Sequence, residues 1–372
     1  MSGDSQTADV VVIGGGLVGA AIAWGLLDHG HSVTVLDEGD VALRASRGNF
    51  GLVWVQSKGD GLSEYARWTR RSADLWTDFS ERLAEETGIS PNYEKPGGLY
   101  FTLTEEDDAR IRDQHKRMHN VNGAAGYGAE MLDRQQLDEM LPGLGPDVIS
   151  GSYCKHDGHT NPLLLLRALH RGIAKRGGTY HADAGVRQVA KDGDGFRITT
   201  AAGSYRSAKV VMAAGHGNTT LGPMLGMDVP IHPEKGQILV TERAERLLPL
   251  PTHLLRQTNE GTIMIGDSHE DTGYSTASSS GVMSDVAAHA IRCFPALAKL
   301  RVVRSWGAVR VLSKDGFPIY QQSEELPGAF TINCHSGVTL AAVHAGPLAA
   351  AIAGNGLGSD FDAFSARRFT NG

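Results

Sequence analysis

Val-Val-Val-Ile-Gly-Gly-Gly-Leu-Val-Gly, residues 10–19, decides how this chain is read. Residues 10–13 form a short apolar strand that runs into Gly14, Gly16 and Gly19 in GxGxxG spacing. A helix-forming run follows at residues 20–27 and ends at Gly30. A second β-branched strand at residues 32–36 then closes on Asp37 and Glu38. Each piece has a mechanical role in holding a dinucleotide. Gly14 permits the tight turn, Gly16 lets a pyrophosphate approach the backbone, and Gly19 lets the helix pack against the strand. The helix start at Leu17 and Val18 faces the phosphates with unpaired N–H groups and a positive dipole end. Asp37, with Glu38 beside it, is placed to accept hydrogen bonds from a ribose diol. In a chain with 47 glycines a lone GxGxxG carries little weight. The order strand, helix, second strand and acidic tip is what carries the argument.

At 372 residues the chain is too long for one core and suits two intertwined domains. Its net charge of -7 argues against nucleic acid and anionic membrane surfaces as main partners. Apolar runs fall short of the ~18 residues of a membrane span, and no basic-then-apolar leader precedes the first strand. Cys154, Cys293 and Cys334 make no CxxC pair, which fits a reducing cytoplasm. Three thiols also cannot ligate an iron–sulfur cluster, so any electron acceptor beyond a flavin belongs to another chain or is oxygen.

Residues 40–61 are rich in Gly, Ser and Arg and read as an irregular loop around a ligand. Helical spacing follows at 65–86, with Trp68, Leu75, Trp76, Phe79 and Leu83 on one face. Strands are expected at 93–103 and 149–153, with an amphipathic stretch (105–141) between them. Asn161 and Pro162 open a helix at 163–175, and two short strands follow near 186–189 and 196–200. Residues 209–217, Lys-Val-Val-Met-Ala-Ala-Gly-His-Gly, form a buried strand that breaks at small residues. Alternating segments at 230–241 and 262–267 suggest an antiparallel sheet. Residues 305–354 carry a loop, a strand (329–333) and a long C-terminal helix containing Pro347. This order predicts an α/β fold with a discontinuous Rossmann-type cofactor domain (1–87, 151–225 and 305–372). An α+β substrate domain built on the antiparallel sheet (88–150 and 226–304) fills the gaps.

Cys-His-Ser-Gly-Val-Thr-Leu, residues 334–340, joins the last strand to the C-terminal helix and forms a second helix start lined by small residues. A nicotinamide enzyme has no use for it. A flavin does, because the reduced ring carries negative charge that a helix dipole stabilises. FAD is therefore the better reading. With both ends in view, the chain resembles the FAD-dependent D-amino-acid oxidase, glycine oxidase and sarcosine oxidase superfamily over its whole length. The landmarks are residues 12–19, Ala-Ser-Arg-Gly-Asn-Phe-Gly (45–51), Val-Val-Met-Ala-Ala-Gly (210–215) and Pro-Glu-Lys-Gly-Gln (233–237). Trp-Gly-Ala-Val-Arg (306–310), Asp-Gly-Phe-Pro (315–318) and His-Ser-Gly-Val-Thr-Leu (335–340) complete the series. Within the superfamily the chain looks most like the FAD-carrying β subunits of multi-subunit opine, hydroxyproline and sarcosine dehydrogenases. It departs from the common pattern in having Val311, not proline, after Arg310, and a bulky loop at 49–56.

The resemblance implies oxidation of an amine at the carbon bearing nitrogen, with hydride passing to flavin N5 and hydrolysis of the imine. An α subunit and a small iron–sulfur subunit would accept the electrons. Arg310 matches the Gly-x-x-Arg arginine, and its planar guanidinium can grip a carboxylate with two parallel hydrogen bonds. The flavin-side residues implied are Ser46, Arg47, Asn49, Phe50 and Gly51 in the long loop, then Val186 and the Ala213-Ala214-Gly215 break. Gly307, Ser336, Gly337, Val338, Thr339 and Leu340 join them from the C-terminal part. Trp54, Gln56, Lys235 and His335 are further candidates for the reacting side. His156 matches a histidine that holds FMN at the subunit interface of sarcosine-type β subunits. The surrounding Cys-Lys-His-Asp-Gly-His (154–159) lacks further ligands at metal-binding spacing. Two other readings stay open: a stand-alone oxidase of glycine, sarcosine or a D-amino acid that makes peroxide, and a non-catalytic flavin-binding subunit.

Overall fold

The computed structural model describes residues 6–39, 45–354 and 356–370; residues 40–44, the first part of the long loop, lie outside the described residues. The opening motif folds as strand Gln6–Ile13, helix Leu17–Asp28 and strand Val33–Leu36. These join an eight-stranded sheet whose main path runs Ile319–Gln322, Ala329–Asn333, Ser204–Met212, Gln6–Ile13, Val33–Leu36, Thr179–His181. The central four strands are mutually parallel. Ile319–Gln322 is antiparallel at one edge. Val186–Asp192 and Gly195–Thr200 extend Ser204–Met212 as an antiparallel hairpin. The near-continuous burial of residues 10–13, 33–36 and 210–212 fits a parallel sheet covered on both faces.

A second sheet is antiparallel, in the order Leu255–Gln257, Thr262–Ile265, Ile231–Arg243, Val302–Ser313. A third pairs Gly98–Thr102 and Ala129–Asp133 with Ser150–Cys154. The chain is thus a mixed α/β protein. Residues 305–313, expected as loop, instead form most of a twelve-residue strand that pairs along its length with Ile231–Arg243. This strand crosses the 304/305 boundary between the expected domains. The amphipathic region 105–141 divides into helix Glu105–Met118, strand Ala129–Asp133 and helix Arg134–Met140. The C-terminal helix is interrupted: Pro347 lies in a π-helical turn, His344–Leu348, between Ala341–Val343 and Ala349–Ala353. The widened turn accommodates the missing proline N–H, which accounts for the break. Among the described residues no helix is long and apolar enough to cross a membrane.

The 25-residue helix Ser63–Thr87 ties the two ends of the chain together. Trp76 is fully buried, packs edge-on against Phe79 and beside Tyr93, and donates from Nε1 to the Thr339 carbonyl at 3.0 Å. Ser72 Oγ donates to the same oxygen at 2.6 Å, and Tyr65 Oη donates to Ser336 Oγ at 2.9 Å. The turn at 336–339 is therefore held from behind by this helix. Trp76→Ala should cost about 3–5 kcal/mol of stability, the range for emptying a buried aromatic site, read as a lowered urea midpoint at unchanged slope.

Candidate active site

In-register parallel pairing puts Leu36, Ile13, Met212 and Thr331 in one row across four strands. Three strands leave the sheet just beyond that row, at Asp37, Gly14 and Ala213, and the fourth runs on to Asn333 before leaving at Cys334. A continuous cavity of about 1410 Å³ opens there. Ordinary small-molecule pockets hold roughly 300–1,000 Å³, so this one has room for a dinucleotide and a second small molecule. Asn218, fully buried, pins two strand ends: it donates to Met212 O (2.8 Å) and Asn333 Oδ1 (3.1 Å) and accepts from Ala214 N (3.1 Å).

One end of the cavity is the glycine turn. Gly14 has φ +103°, and a Cβ there would press on the Ala213 backbone at 2.5 Å; a Cβ on Gly19 would strike the Gly14 carbonyl. The helix that follows has no acidic residue in its first turn, and Leu17 N donates to Ser46 Oγ at 2.9 Å. A helix start of this kind, open to a cavity, suits a phosphate. The Asp37 carboxylate accepts from Gly15 N (2.6 Å) and Gly39 N (3.1 Å) and so also braces the turn. Gly14, Gly16, Leu17, Val18, Asp37, Glu38, Ser46, Arg47 and Val186 all line this end. These features fit a pyrophosphate and ribose.

At the far end Ser336, Gly337, Val338 and Thr339 line the cavity with His335, Ala213, Ala214 and Gly215. Thr339 Oγ1 accepts from Trp54 N at 3.1 Å and donates to Leu52 O at 3.2 Å, fastening the long loop to the C-terminal turn. That loop contributes Asn49, Phe50 and Trp54 to the wall. Asn49 Oδ1 caps its own turn by accepting from Gly51 N at 2.8 Å. Burial, followed by the charges of Lys58 and Arg310, keeps the His335 imidazole neutral by holding its pKa well below the usual histidine value.

Arg310 lies on the antiparallel sheet directly across from Glu234 and also lines the cavity. Its Nη1 donates to Glu234 Oε1 at 2.8 Å and to Lys235 O at 3.3 Å. The guanidinium lies over Gly236, where a Cβ would collide with it. Glu234 Oε1 also meets His269 Nδ1 at 2.8 Å, while His269 Nε2 is 3.4 Å from Asp267 Oδ1. The hydrogen bond to Asp267 raises the His269 pKa. Burial pushes the Asp267 carboxyl up, but the His269 hydrogen bond and nearby positive charge more than offset it, so Asp267 stays ionised.

Several expected site residues lie elsewhere. Gln56 is buried behind the loop, donating from Nε2 to Asp157 Oδ2 (2.6 Å) and Gly98 O (3.1 Å). Lys235 is 4 % exposed and locked in an interior ion pair with Glu270 at 2.9 Å. Its side chain leaves the sheet on the side opposite to its neighbours Glu234 and Gly236, as strand alternation requires. Gly307 faces the Lys235 side chain and the Thr276 carbonyl. Gly19 and Gly51 serve close backbone packing, and Leu340 points into the core. None of these six lines the cavity. His156 is outside it as well. Its ring sits 3.8 Å from Asp74, and burial with the nearby Arg70 charge lowers its pKa to about 4. These surroundings give no support to FMN at this position.

Other wall residues had no local signature. Tyr100 and His253 stack at 3.9 Å although far apart in the chain. Burial keeps His253 neutral, with its pKa lowered to about 4. Lys58, Asp267 and His269 also line the wall. The reading of residues 40–61 as a loop around a ligand covered Lys58 without singling it out.

The family model described as "DAO: FAD dependent oxidoreductase" matches residues 9–351. An opine oxidase subunit of Rhizobium meliloti is 46% identical over 362 residues, covering 97% of each chain. The corresponding opine oxidase subunit of Agrobacterium tumefaciens is 45% identical with the same coverage. Among solved structures, glycine oxidase from Geobacillus kaustophilus superposes with a TM-score of 0.89 at 23% identity, covering 97% of this chain and 98% of its own.

Asp157 generates a pH prediction. This fully buried carboxylate accepts from Val55 N (2.5 Å), Gln56 N (3.3 Å) and Gln56 Nε2, and burial raises its pKa to about 7. A carboxyl whose folded pKa exceeds its unfolded value binds its proton more tightly when folded, so it favours the fold at low pH. Its contribution is lost as pH rises from the ordinary carboxyl value toward about 7. The Tm difference, Asp157→Asn minus wild type, should therefore increase across that interval and level off above it.

Proposed function

The chain belongs to the DAO family of FAD-dependent oxidoreductases, and from that premise we propose that it oxidises the C–N bond of an N-substituted or secondary amino acid of the opine, hydroxyproline or sarcosine type. The observation that carries this reading is Arg310: a guanidinium fixed by Glu234 at 2.8 Å yet facing the cavity that begins at the dinucleotide turn. Similarity to two opine oxidase subunits over nearly the full chain supports the same substrate class.

FAD held in this cavity would supply the hydride acceptor at its N5, and water would hydrolyse the imine product. The protein's share is positioning and electrostatics. Arg310 retains donors beyond its Glu234 contact with which to grip the substrate carboxylate. Neutral His335 and His253, in the same wall, add no positive charge against an incoming hydride donor. The substrate amine must arrive unprotonated, and the surrounding cations favour that form. The residues beside the glycine turn hold the pyrophosphate, and the 336–339 turn takes the flavin end. On this account residues 1–87, 151–225 and 305–372 are the FAD-binding domain and 88–150 and 226–304 the substrate domain, with strand Val302–Ser313 joining the two.

We further assign the chain the role of catalytic β subunit, passing electrons to an α subunit and a small iron–sulfur subunit. Both opine oxidase relatives are, by name, single subunits of a larger enzyme, which supports that role. A cytoplasmic location is consistent with its free Cys154, Cys293 and Cys334.

Two measurements test the proposal. The chain purified with its companions, mixed anaerobically with opines, hydroxyprolines and sarcosine in turn, should show flavin bleaching with at least one. Bleaching by none overturns the proposal, and peroxide formation by the chain alone from glycine or a D-amino acid identifies a stand-alone oxidase instead. Arg310→Ala should raise KM by about 10- to 100-fold, the value of a charged hydrogen bond, with flavin content unchanged; an unaltered KM removes Arg310 from the site.

A further inference from the structure

Lys58 differs from the other charged residues around Arg310. It is half-buried and lines the same cavity, yet its ammonium makes no hydrogen bond or ion pair with any described residue. Its neighbours are compensated: Arg310 by Glu234 at 2.8 Å, and His269 by Glu234 and Asp267. Burial and the Arg310 charge both act against the Lys58 ammonium, while Asp157 and Cys334 act in its favour. Their combined effect leaves its pKa lowered.

The backbone beneath this cation is firmly held. Lys58 N donates to Val55 O at 3.1 Å, and Ser57 N donates to Tyr127 Oη at 2.6 Å. Ser57 adopts a left-handed φ of 64°, and Val55 and Gln56 are bound to Asp157. Such a turn is strained for serine and persists only where its surroundings enforce it. The fold therefore holds the Lys58 backbone in place at the cavity wall, and its side chain brings there a cation with no hydrogen-bond or ion-pair partner among the described residues. Holding such a charge away from water is costly unless an anion meets it. Lys58, Arg310 and His335 all line this cavity, and both positive charges act on the His335 imidazole.

We infer that Lys58 is a second anion anchor: it takes a second carboxylate of a substrate whose first is held at Arg310, and so selects, among the amines proposed above, those that carry two. This narrows the amine-oxidation reading above and rests on it for the identity of the reacting bond. The anchoring itself can be tested without turnover. Diglycolate carries two carboxylates on an ether and methoxyacetate carries one; neither has a C–N bond to oxidise. Each is titrated calorimetrically into the FAD-loaded protein isolated with its companions.

Wild type should bind diglycolate at least about tenfold more tightly than methoxyacetate, the lower value of a charged hydrogen bond. Lys58→Met should remove that preference and leave methoxyacetate affinity within about twofold, while Lys58→Arg should keep most of it. A flavin spectrum and Tm equal to those of wild type establish that each variant is folded. Equal affinities in wild type, or equal loss for both probes in Lys58→Met, overturn the inference; the latter result would mean that both cations hold a single carboxylate. If the probes are discriminated as expected but no amine bleaches the flavin, the anchor stands and the oxidation reading fails.

Discussion

The structure depends on the in-register parallel pairing of four strands. Leu36, Ile13, Met212 and Thr331 share a row, so the turns that follow all emerge at one edge of one sheet. Ligands of open α/β sheets bind at this carboxyl edge because loops diverge there and helix starts point inward. A slip of one strand would turn its side chains to the other face and carry its turn away from the others. Asn218 secures the arrangement, linking the ends of Ser204–Met212 and Ala329–Asn333 through Met212 and Asn333. The glycines at 14 and 19 serve the same geometry, since a side chain at either would press on backbone that must stay close.

The reacting end is built differently. It combines an antiparallel sheet carrying Arg310, a loop carrying Trp54 and Lys58, and a C-terminal turn carrying His335. Hydrogen bonds between parts distant in sequence hold them together: Thr339 joins residues 52 and 54 to the C-terminal turn, and helix Ser63–Thr87 supports that turn from behind. Histidines kept neutral by burial and cations compensated by Glu234 and Asp267 produce a wall with a specific charge pattern. On the proposed reading, such a wall orients an anionic substrate and asks little proton transfer of the protein.

The dinucleotide end was legible because its chemistry is local. The 10–19 run, the 210–215 break and the 334–340 turn each combine a buried strand with small residues at fixed spacing, and all reach the cavity. The place of Arg310 on the cavity wall was legible by its motif. Lys235 and Gln56 were misplaced because a polar residue in an apolar strand or loop looks the same whether it faces a ligand or an interior partner. Only the pairings with Glu270 and Asp157 distinguish the two. The strand Val302–Ser313 was missed because its glycine and charged residues dilute β-propensity, while long pairing with Ile231–Arg243 overrides it. Tyr100, His253, Asp267 and His269 come together only through tertiary structure.

The central claim is that the strand-edge cavity holds one FAD. Its most direct test is the visible spectrum of the native protein, with mass identification of the cofactor released on denaturation. The account predicts a yellow protein that releases FAD in a one-to-one ratio. A colourless protein that takes up no FAD on incubation would contradict it.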